Sequence, residues 1–132
     1  MSVLVDSDLI ISGMRSSSLV LDFLDSFAQR GLSISVVTLA EVFEGAFHTD
    51  DPVQHLSAAR EFLDHYIIVD VTDPVAETFA RLRAALRHQG NSIADMDLLI
   101  AATAITYDLT LLTRNTRHFS WVPGLHLQHP AS

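Results

Sequence analysis

The chain has 132 residues, a length typical of one domain that buries its own hydrophobic core. It lacks cysteine, which excludes disulfide bonds and thiolate metal ligands, and its eight basic residues are all arginine, which excludes a lysine nucleophile. Sixteen acidic residues give a net charge of −8, so we do not expect a protein that binds duplex DNA through a broadly basic surface.

The beginning of the sequence bears on the location of the protein. It enters a strand pattern directly, without the basic and apolar segments of a secretory signal. Elsewhere, no apolar run approaches the roughly 18 residues that span a membrane. The sequence therefore predicts a cytoplasmic protein.

The stretch VLVDSDLII, residues 3 to 11, begins as a strand and carries two acids. Its first three residues are aliphatic without alternation, which is typical of a parallel strand buried on both faces. Asp6 and Asp8 follow at once. Because an unpaired buried carboxylate is costly, such a residue caps a turn, pairs with a cation or binds a metal. From this stretch alone, capping and catalysis are both open.

The middle of the chain alternates helical and strand patterns. Leu19, Phe23, Leu24 and Phe27 recur on one face, which predicts a first helix that Gly31 ends. The next predicted elements are a strand at 33–37, a helix from Thr38 to Phe47, a helix to about His65 capped by Asp51 before Pro52, a strand at 66–71, and a helix from Asp73 and Pro74 to Gly90 and Asn91.

The last part of the chain continues this alternation. It predicts a helix over 95–106, a strand at 110–113 and an edge strand at 125–127. Strands and helices at these spacings predict an α/β fold with a central parallel sheet of four to five strands flanked by helices. We expect one domain over residues 1–132.

Several polar residues follow strands of this predicted sheet. Asp6 ends the first strand, Glu41 lies just past the second, and Asn115 lies just past the strand at 110–113. Because the crevice of a parallel sheet lies at the carboxyl ends of its strands, these residues are candidates for one site. Glu41 has a strong alternative, because Thr38 and Glu41 have the spacing of a capping box.

Asp97 lies in the stretch ADMDLLIAATAI, which is apolar nearly all round and therefore predicts a helix buried on all sides. A helix dipole stabilises an exposed acid by only about 0.3 to 1 kcal/mol, whereas a desolvated carboxylate costs several kcal/mol. A bound cation therefore explains a buried acid at Asp97 better than the helix dipole does. Asp95 points about 200° away and fits an N-cap.

The converging carboxylates favour Mg²⁺ or Mn²⁺, which prefer oxygen ligands and serve phosphate chemistry. Other chemistries have little support. The seven histidines form no helical zinc pair, and no motif for a nucleophilic serine is present.

Four blocks carry the candidate residues: VLVDSDLII around Asp6, VVTLAEVFEGA around Glu41, IADMDLLIAATAI around Asp97 and LLTRNTRHFSWVPGLHL around Asn115. Together they resemble the PIN-domain ribonucleases, and among them the VapC toxins of bacterial toxin–antitoxin pairs. The resemblance covers essentially the whole chain. It implies a PIN-like three-layer sandwich, an Mg²⁺ or Mn²⁺ site that cleaves RNA, a homodimer, and inhibition by a small VapB-like antitoxin.

The resemblance also implies roles for individual residues. Asp6 and Asp97 match direct metal ligands, and Glu41 matches an acid that binds the metal or a coordinated water. Ser7 and Asn115 match polar positions that orient the site.

The chain departs from the PIN pattern at three of its polar residues. Many relatives carry an acid in the fourth block, where this chain has Asn115 and His118, which puts the binding of a second metal in doubt. His118 is either a base beside the site or a surface residue. Asp8 stands where relatives often have Asn, so it is a further candidate metal ligand.

Three arginines flank the blocks: Arg15, Arg114 and Arg117. Their forked side chains suit RNA phosphates, and an equally good reading is that they balance the local acids.

Two rival functions fit parts of the sequence. The first is a catalytically silent PIN module that acts by binding antitoxin or RNA. The second is a haloacid-dehalogenase-type phosphatase with Asp6 as nucleophile, which is disfavoured because that family uses a basic residue, usually lysine. Metal binding distinguishes the silent module from the enzyme.

Overall fold

A computed structural model describes residues 2–130. Its sheet has five strands in the order β3-β2-β1-β4-β5, and every neighbouring pair is parallel. The strands are β1 (Val3–Val5), β2 (Leu32–Ser35), β3 (Ile67–Val69), β4 (Thr110–Leu112) and β5 (Leu127–Gln128). The predicted α/β class with a parallel sheet of four to five strands is confirmed.

The helices connect these strands. They are α1 (Ser7–Met14), α2 (Ser18–Asp25), α3 (Val36–Phe47), α4 (Pro52–Phe62), α5 (Asp73–Gln89), α6 (Asp95–Thr106) and α7 (Thr116–Phe119), and a 3-10 turn spans Ala28–Arg30. Within residues 2–130, no helix has both the length and the apolar character needed to cross a membrane.

The core lies on both faces of the sheet. Leu4 of β1 packs with one apolar cluster, which includes Leu98 of α6 and Phe119 of α7. Val3 and Val5, the neighbours of Leu4, pack with the other cluster on the opposite face. Because successive residues of a strand point to opposite faces, β1 is buried on both sides and the fold has three layers.

The first helix of the chain is α1, which the sequence did not reveal. It begins at Ser7, directly after β1, because the Asp6 carboxylate accepts a hydrogen bond of 2.9 Å from the Ser7 amide and so caps the helix. The predicted first helix is therefore the second one, α2. Leu19, expected on its buried face, is 62% exposed, while Val20 and Leu24 are buried.

The predicted capping box between Thr38 and Glu41 is wrong. Strand β2 ends at Ser35, two residues before the predicted end, and the Ser35 hydroxyl accepts a hydrogen bond of 3.0 Å from the Val37 amide. Ser35 is thus the N-cap of α3, and Thr38 lies buried inside that helix. A cap residue at the strand end starts the helix before Thr38 is reached, which leaves Glu41 available for other contacts.

Other boundaries differ by a few residues. Asp51 caps α4 through the Gln54 amide as predicted, but α4 ends at Phe62 rather than near His65. The N-cap of α5 is Thr72, and its C-cap is Gly90 with a φ of +76°. The edge strand β5 is shifted to Leu127–Gln128.

Candidate active site

The sheet order places the ends of β1 and β4 side by side. Strand β1 pairs with both β2 and β4 in parallel, so the residues that follow these strands emerge at the same edge. The Asp6 amide continues this pairing with a hydrogen bond of 2.9 Å to the Leu112 carbonyl. Asp6, after β1, therefore lies beside Thr113, after β4.

Asp6 is the buried acid of this edge, with only 5% of its surface exposed. One carboxylate oxygen accepts from the Ser7 amide, and the other accepts a hydrogen bond of 2.7 Å from the Thr113 hydroxyl. Burial raises the pKa of Asp6 to about 6, although these hydrogen bonds oppose the shift. The negative charges of Asp8 and Asp97 raise the pKa further. Asp6, Asp8 and Asp97 thus act on one another electrostatically.

Glu41 joins this group through Ser7. Its Oε1 accepts a hydrogen bond of 2.8 Å from the Ser7 hydroxyl, which lies 3.5 Å from Oδ1 of Asp6. The contact links α3 to the start of α1. Glu41 therefore faces the candidate site and does not cap its own helix.

Asp97 lies in the first turn of α6 and is less buried than the sequence predicted. Its side chain is 31% exposed, and its Oδ2 lies 3.4 Å from Nε2 of His118. Asp95 is not the N-cap of α6, because Ala94 holds that position. As predicted, Asp95 points away from Asp97, and its Oδ1 lies 2.5 Å from a guanidinium nitrogen of Arg83.

Asp8 is held by the segment that follows β4. Its Oδ2 accepts a hydrogen bond of 3.2 Å from the Arg114 amide and lies 3.8 Å from the Arg114 Nε. Burial raises its pKa, against the lowering effect of Arg114. Its Oδ1 is buried and has no hydrogen-bond partner within residues 2–130. The Leu9 amide and the side chain of His129 also lower the pKa of Asp8, so groups of the chain itself stabilise this carboxylate.

Asn115 lies at the edge of the site. It precedes α7, its backbone amide donates to the Thr113 hydroxyl over 3.0 Å, and its side chain forms no cap. Thr113 therefore connects Asn115 to Asp6. Sequence reasoning missed Thr113, although its place after a buried parallel strand is the signal that selected Asn115.

The three candidate arginines differ in their contacts. The Arg114 guanidinium donates to the Ser12 hydroxyl over 2.5 Å and to the Asp8 carbonyl over 3.4 Å, so the structure fixes its position. Arg15 and Arg117 are exposed, on the C-cap of α1 and on α7. Both side chains are thus open to solvent, and the role of the three arginines in RNA binding stays a prediction.

A groove of about 330 Å³ opens between α1 and α3. Ile11, Met14 and Val42 form apolar walls, and the groove also includes Arg15 and Glu41. It therefore shares Glu41 with the carboxylate group.

The carboxylates fit a divalent cation by their chemistry. Within residues 2–130, no three His, Asp or Glu side chains lie close enough to form a finished metal cluster. The donors are nevertheless hard oxygens, and burial, followed by the charges of Asp8 and Asp97, raises the pKa of Asp6, which a bound cation would lower again. Mg²⁺ keeps several water molecules and needs only one or two protein carboxylates. Asp6 and Asp97 suit such an ion, and Asp8 is a further candidate ligand.

Comparison with known proteins decides the family. The family model of the PIN domain matches residues 3–125. This chain belongs to the PIN domain family. The chain is 28% identical over 128 residues to ribonuclease VapC2 of Haemophilus influenzae, covering 96% of each chain. It is 32% identical over 100 residues to a tRNA(fMet)-specific endonuclease VapC of Shigella flexneri, covering 76% of each.

A solved structure shares the PIN fold over nearly the whole chain. The structure of VapBC2 from Rickettsia felis, bound to a DNA fragment from its promoter, superposes with a TM-score of 0.93 at 27% identity and covers 98% of each chain. The resemblance to PIN-domain ribonucleases of the VapC type is thus confirmed.

Proposed function

We propose that this PIN domain protein is an Mg²⁺- or Mn²⁺-dependent endoribonuclease that hydrolyses RNA phosphodiester bonds, and that it is the toxin of a VapBC-type pair. Relatives named as ribonucleases support nuclease activity. The structural observation that carries the proposal is the buried Asp6, whose pKa is raised to about 6 among other acids. Such an acid is typical of a functional site.

The proposed roles follow the contacts. We assign Asp6 and Asp97 as the direct metal ligands and keep Asp8 as a candidate ligand, and Glu41 binds the metal or a coordinated water. Asn115 orients the site through its amide oxygen. A bound Mg²⁺ or Mn²⁺ ion supplies Lewis acidity, which lowers the pKa of water and neutralises charge on the phosphate.

The surrounding residues prepare these ligands. Ser7 holds Glu41 in place, and Thr113 and the Ser7 amide fix the two oxygens of Asp6. Preorganised ligands lose little conformational freedom when an ion binds.

Arg15, Arg114 and Arg117 contact RNA phosphates in this proposal. Arg114 is held by Ser12 and Asp8, so its guanidinium has a fixed place at the rim, while the exposed Arg15 and Arg117 extend the basic surface. Such contacts position the RNA strand without reading its sequence. The name of the Shigella relative makes transfer RNA the first substrate to assay.

Expression in a bacterial host tests the toxin activity. Wild-type protein should arrest growth and produce RNA fragments, and Asp97→Asn should do neither. Asp73→Asn is a matched control, because Asp73 is also an acid in the first turn of a helix. Asp73 is exposed, and it lies on α5. Growth arrest by Asp97→Asn as strong as that by wild type would contradict the proposal.

A VapB-like antitoxin is the proposed partner, since the structural relatives are VapBC complexes. The groove of Ile11, Met14 and Val42 suits the apolar face of a partner helix. Gly45→Arg places a long charged side chain in this groove, because Gly45 lines the groove, is exposed, and has open space where a Cβ would be added. It should weaken antitoxin binding at least tenfold in calorimetry and leave RNA cleavage by the free toxin unchanged.

One observation favours a second candidate, the catalytically silent PIN module. Within residues 2–130, the acids do not form a finished metal cluster. Mn²⁺ titration followed by electron paramagnetic resonance distinguishes the two candidates, because a silent module need not bind the ion.

Three further predictions belong to this proposal. A homodimer is supported by edge strand β3, which exposes Ile67 and Ile68, and light scattering tests it.

One domain over residues 1–132 predicts a single unfolding transition. Cytoplasmic location is tested by cell fractionation.

A further inference from the structure

His118 lies against the candidate metal site. The single turn of α7 follows β4 and Asn115 and places Nε2 of His118 3.4 Å from Oδ2 of Asp97. The two side chains are 29% and 31% exposed. His118 is therefore a partly buried neighbour of Asp97 and not a surface residue.

Two aromatic rings hold the imidazole in this place. The Phe119 ring lies edge-on at 5.7 Å from it, and the Trp121 ring lies at 6.4 Å. Phe119 is fully buried, which anchors α7 to the core. The buried Phe119 thus helps to place His118, together with the contact to Asp97.

The separation of the two side chains suits a shared ion. In an octahedral site with bonds of about 2.0 to 2.1 Å, neighbouring donor atoms lie about 3 Å apart. The distance of 3.4 Å between Nε2 of His118 and Oδ2 of Asp97 is close to this spacing.

We propose that His118 is a nitrogen ligand of the metal ion that Asp97 binds, and that it shifts the preference of the site from Mg²⁺ toward Mn²⁺. The inference rests on the proposed function, because it requires that the carboxylates bind a divalent ion. The chemical reason is that an imidazole suits transition metal ions, whereas Mg²⁺ prefers oxygen ligands. The segment after β4 offers the neutral amide of Asn115 and this imidazole, but no acid.

Pulsed electron paramagnetic resonance of the Mn²⁺-loaded protein tests the ligand directly. A nitrogen ligand produces ¹⁴N modulation of the electron spin echo. We expect this modulation in wild type and in His88→Gln, a control histidine that is exposed on α5. It should be lost in His118→Gln and in His118→Asp.

Metal affinities provide the second readout. The dissociation constant of Mn²⁺ should rise about tenfold or more in His118→Gln, since even indirect partners of metal ligands contribute about 10- to 100-fold. His118→Asp should bind Mg²⁺ more tightly than wild type does, as measured by displacement of Mn²⁺. Circular dichroism confirms that each variant is folded.

The outcomes separate this inference from the proposed function. Bound Mn²⁺ with no ¹⁴N modulation in wild type would overturn the inference and leave the proposed function intact. Modulation that survives in folded His118→Gln would also overturn it. A folded wild type that binds no Mn²⁺ would overturn both.

Discussion

Thr113 donates a hydrogen bond of 2.7 Å to Asp6 across 107 residues of sequence. The contact joins the ends of β4 and β1, and the same hydroxyl accepts from the Asn115 amide. Thr113 thus fixes the buried carboxylate and the start of the segment that carries His118. The parallel pairing of β1 with β4 therefore sets how the residues of the candidate site are placed relative to one another.

Thr113→Val should destabilise the metal-free protein at pH 7.5. Valine has the same shape but cannot donate to the Asp6 carboxylate, and a hydrogen bond to a charged group contributes about 1.5 to 3 kcal/mol. Thr113→Ser keeps the hydroxyl, so its free energy of unfolding should fall much less than that of Thr113→Val. The free energy of unfolding in urea measures the difference. Equal losses in the two variants would show that the methyl group, and not the hydrogen bond, is what matters.

The metal-free protein should become less stable as the pH rises from about 4 to about 6. Asp6 has a pKa of about 6 in the folded chain and an ordinary value of 3.8, so in this range the folded state binds more protons than the unfolded state. The shift corresponds to about 3 kcal/mol of lost stability above pH 6. Asp6→Asn should reduce this dependence to the part that comes from Asp8, whose pKa burial also raises. Urea unfolding at several pH values in a chelator provides the test, and an equally steep dependence in Asp6→Asn would assign it to another group.

Asp97→Asn should abolish RNA cleavage without lowering the melting temperature of the metal-free protein. The substitution removes a proposed metal ligand, but it also removes a negative charge that raises the pKa of Asp6. Scanning calorimetry and a cleavage assay on the same preparation measure the two effects. A strongly lowered melting temperature would indicate a structural role for Asp97.

Arg83→Met should lower the stability by about 1 to 2 kcal/mol and the melting temperature by about 3 to 10 °C. The Arg83 side chain is 16% exposed and donates to the Ile93 carbonyl over 2.9 Å and to Asp95, so it ties α5 to the start of α6. Methionine keeps contact with the Phe79 ring but loses both donors. The exposed Arg87 supplies the control, and Arg87→Met should change the melting temperature little. Matching losses in both variants would contradict this role for Arg83.

The sequence predicted some elements well because a single physical signal dominated them. Both ends of α6 were predicted correctly. The helix is an apolar stretch with polar residues before and after it, so the change in polarity marks where it begins and ends. Helix α1 was missed because VLVDSDLII reads as one apolar run, and only the hydrogen bond from Ser7 to Asp6 shows where the strand becomes a helix.

The structure brings Asp6 and Glu41 together through Ser7, as their places in the sequence predicted, while their role in a metal site stays a prediction. Asp6, Glu41 and Asp97 were selected from their places after strands and within an apolar helix. The sequence placed the strongest desolvation at Asp97, whereas it falls on Asp6. Burial depends on which chain segments cover a side chain. The place of Thr113 after a buried strand is a signal for a candidate residue, but its partner Asp6 follows from the pairing of β1 with β4, which the local sequence does not show.

The central claim is that β1 carries Asp6 to hold a catalytic metal ion. Cleavage of total cellular RNA by purified, antitoxin-free wild type and by Asp6→Ala, each with Mn²⁺ and with a chelator, tests it most directly. We predict discrete RNA fragments only for wild type with Mn²⁺. Fragments of equal yield from a folded Asp6→Ala protein, or from wild type in the chelator, would contradict the claim.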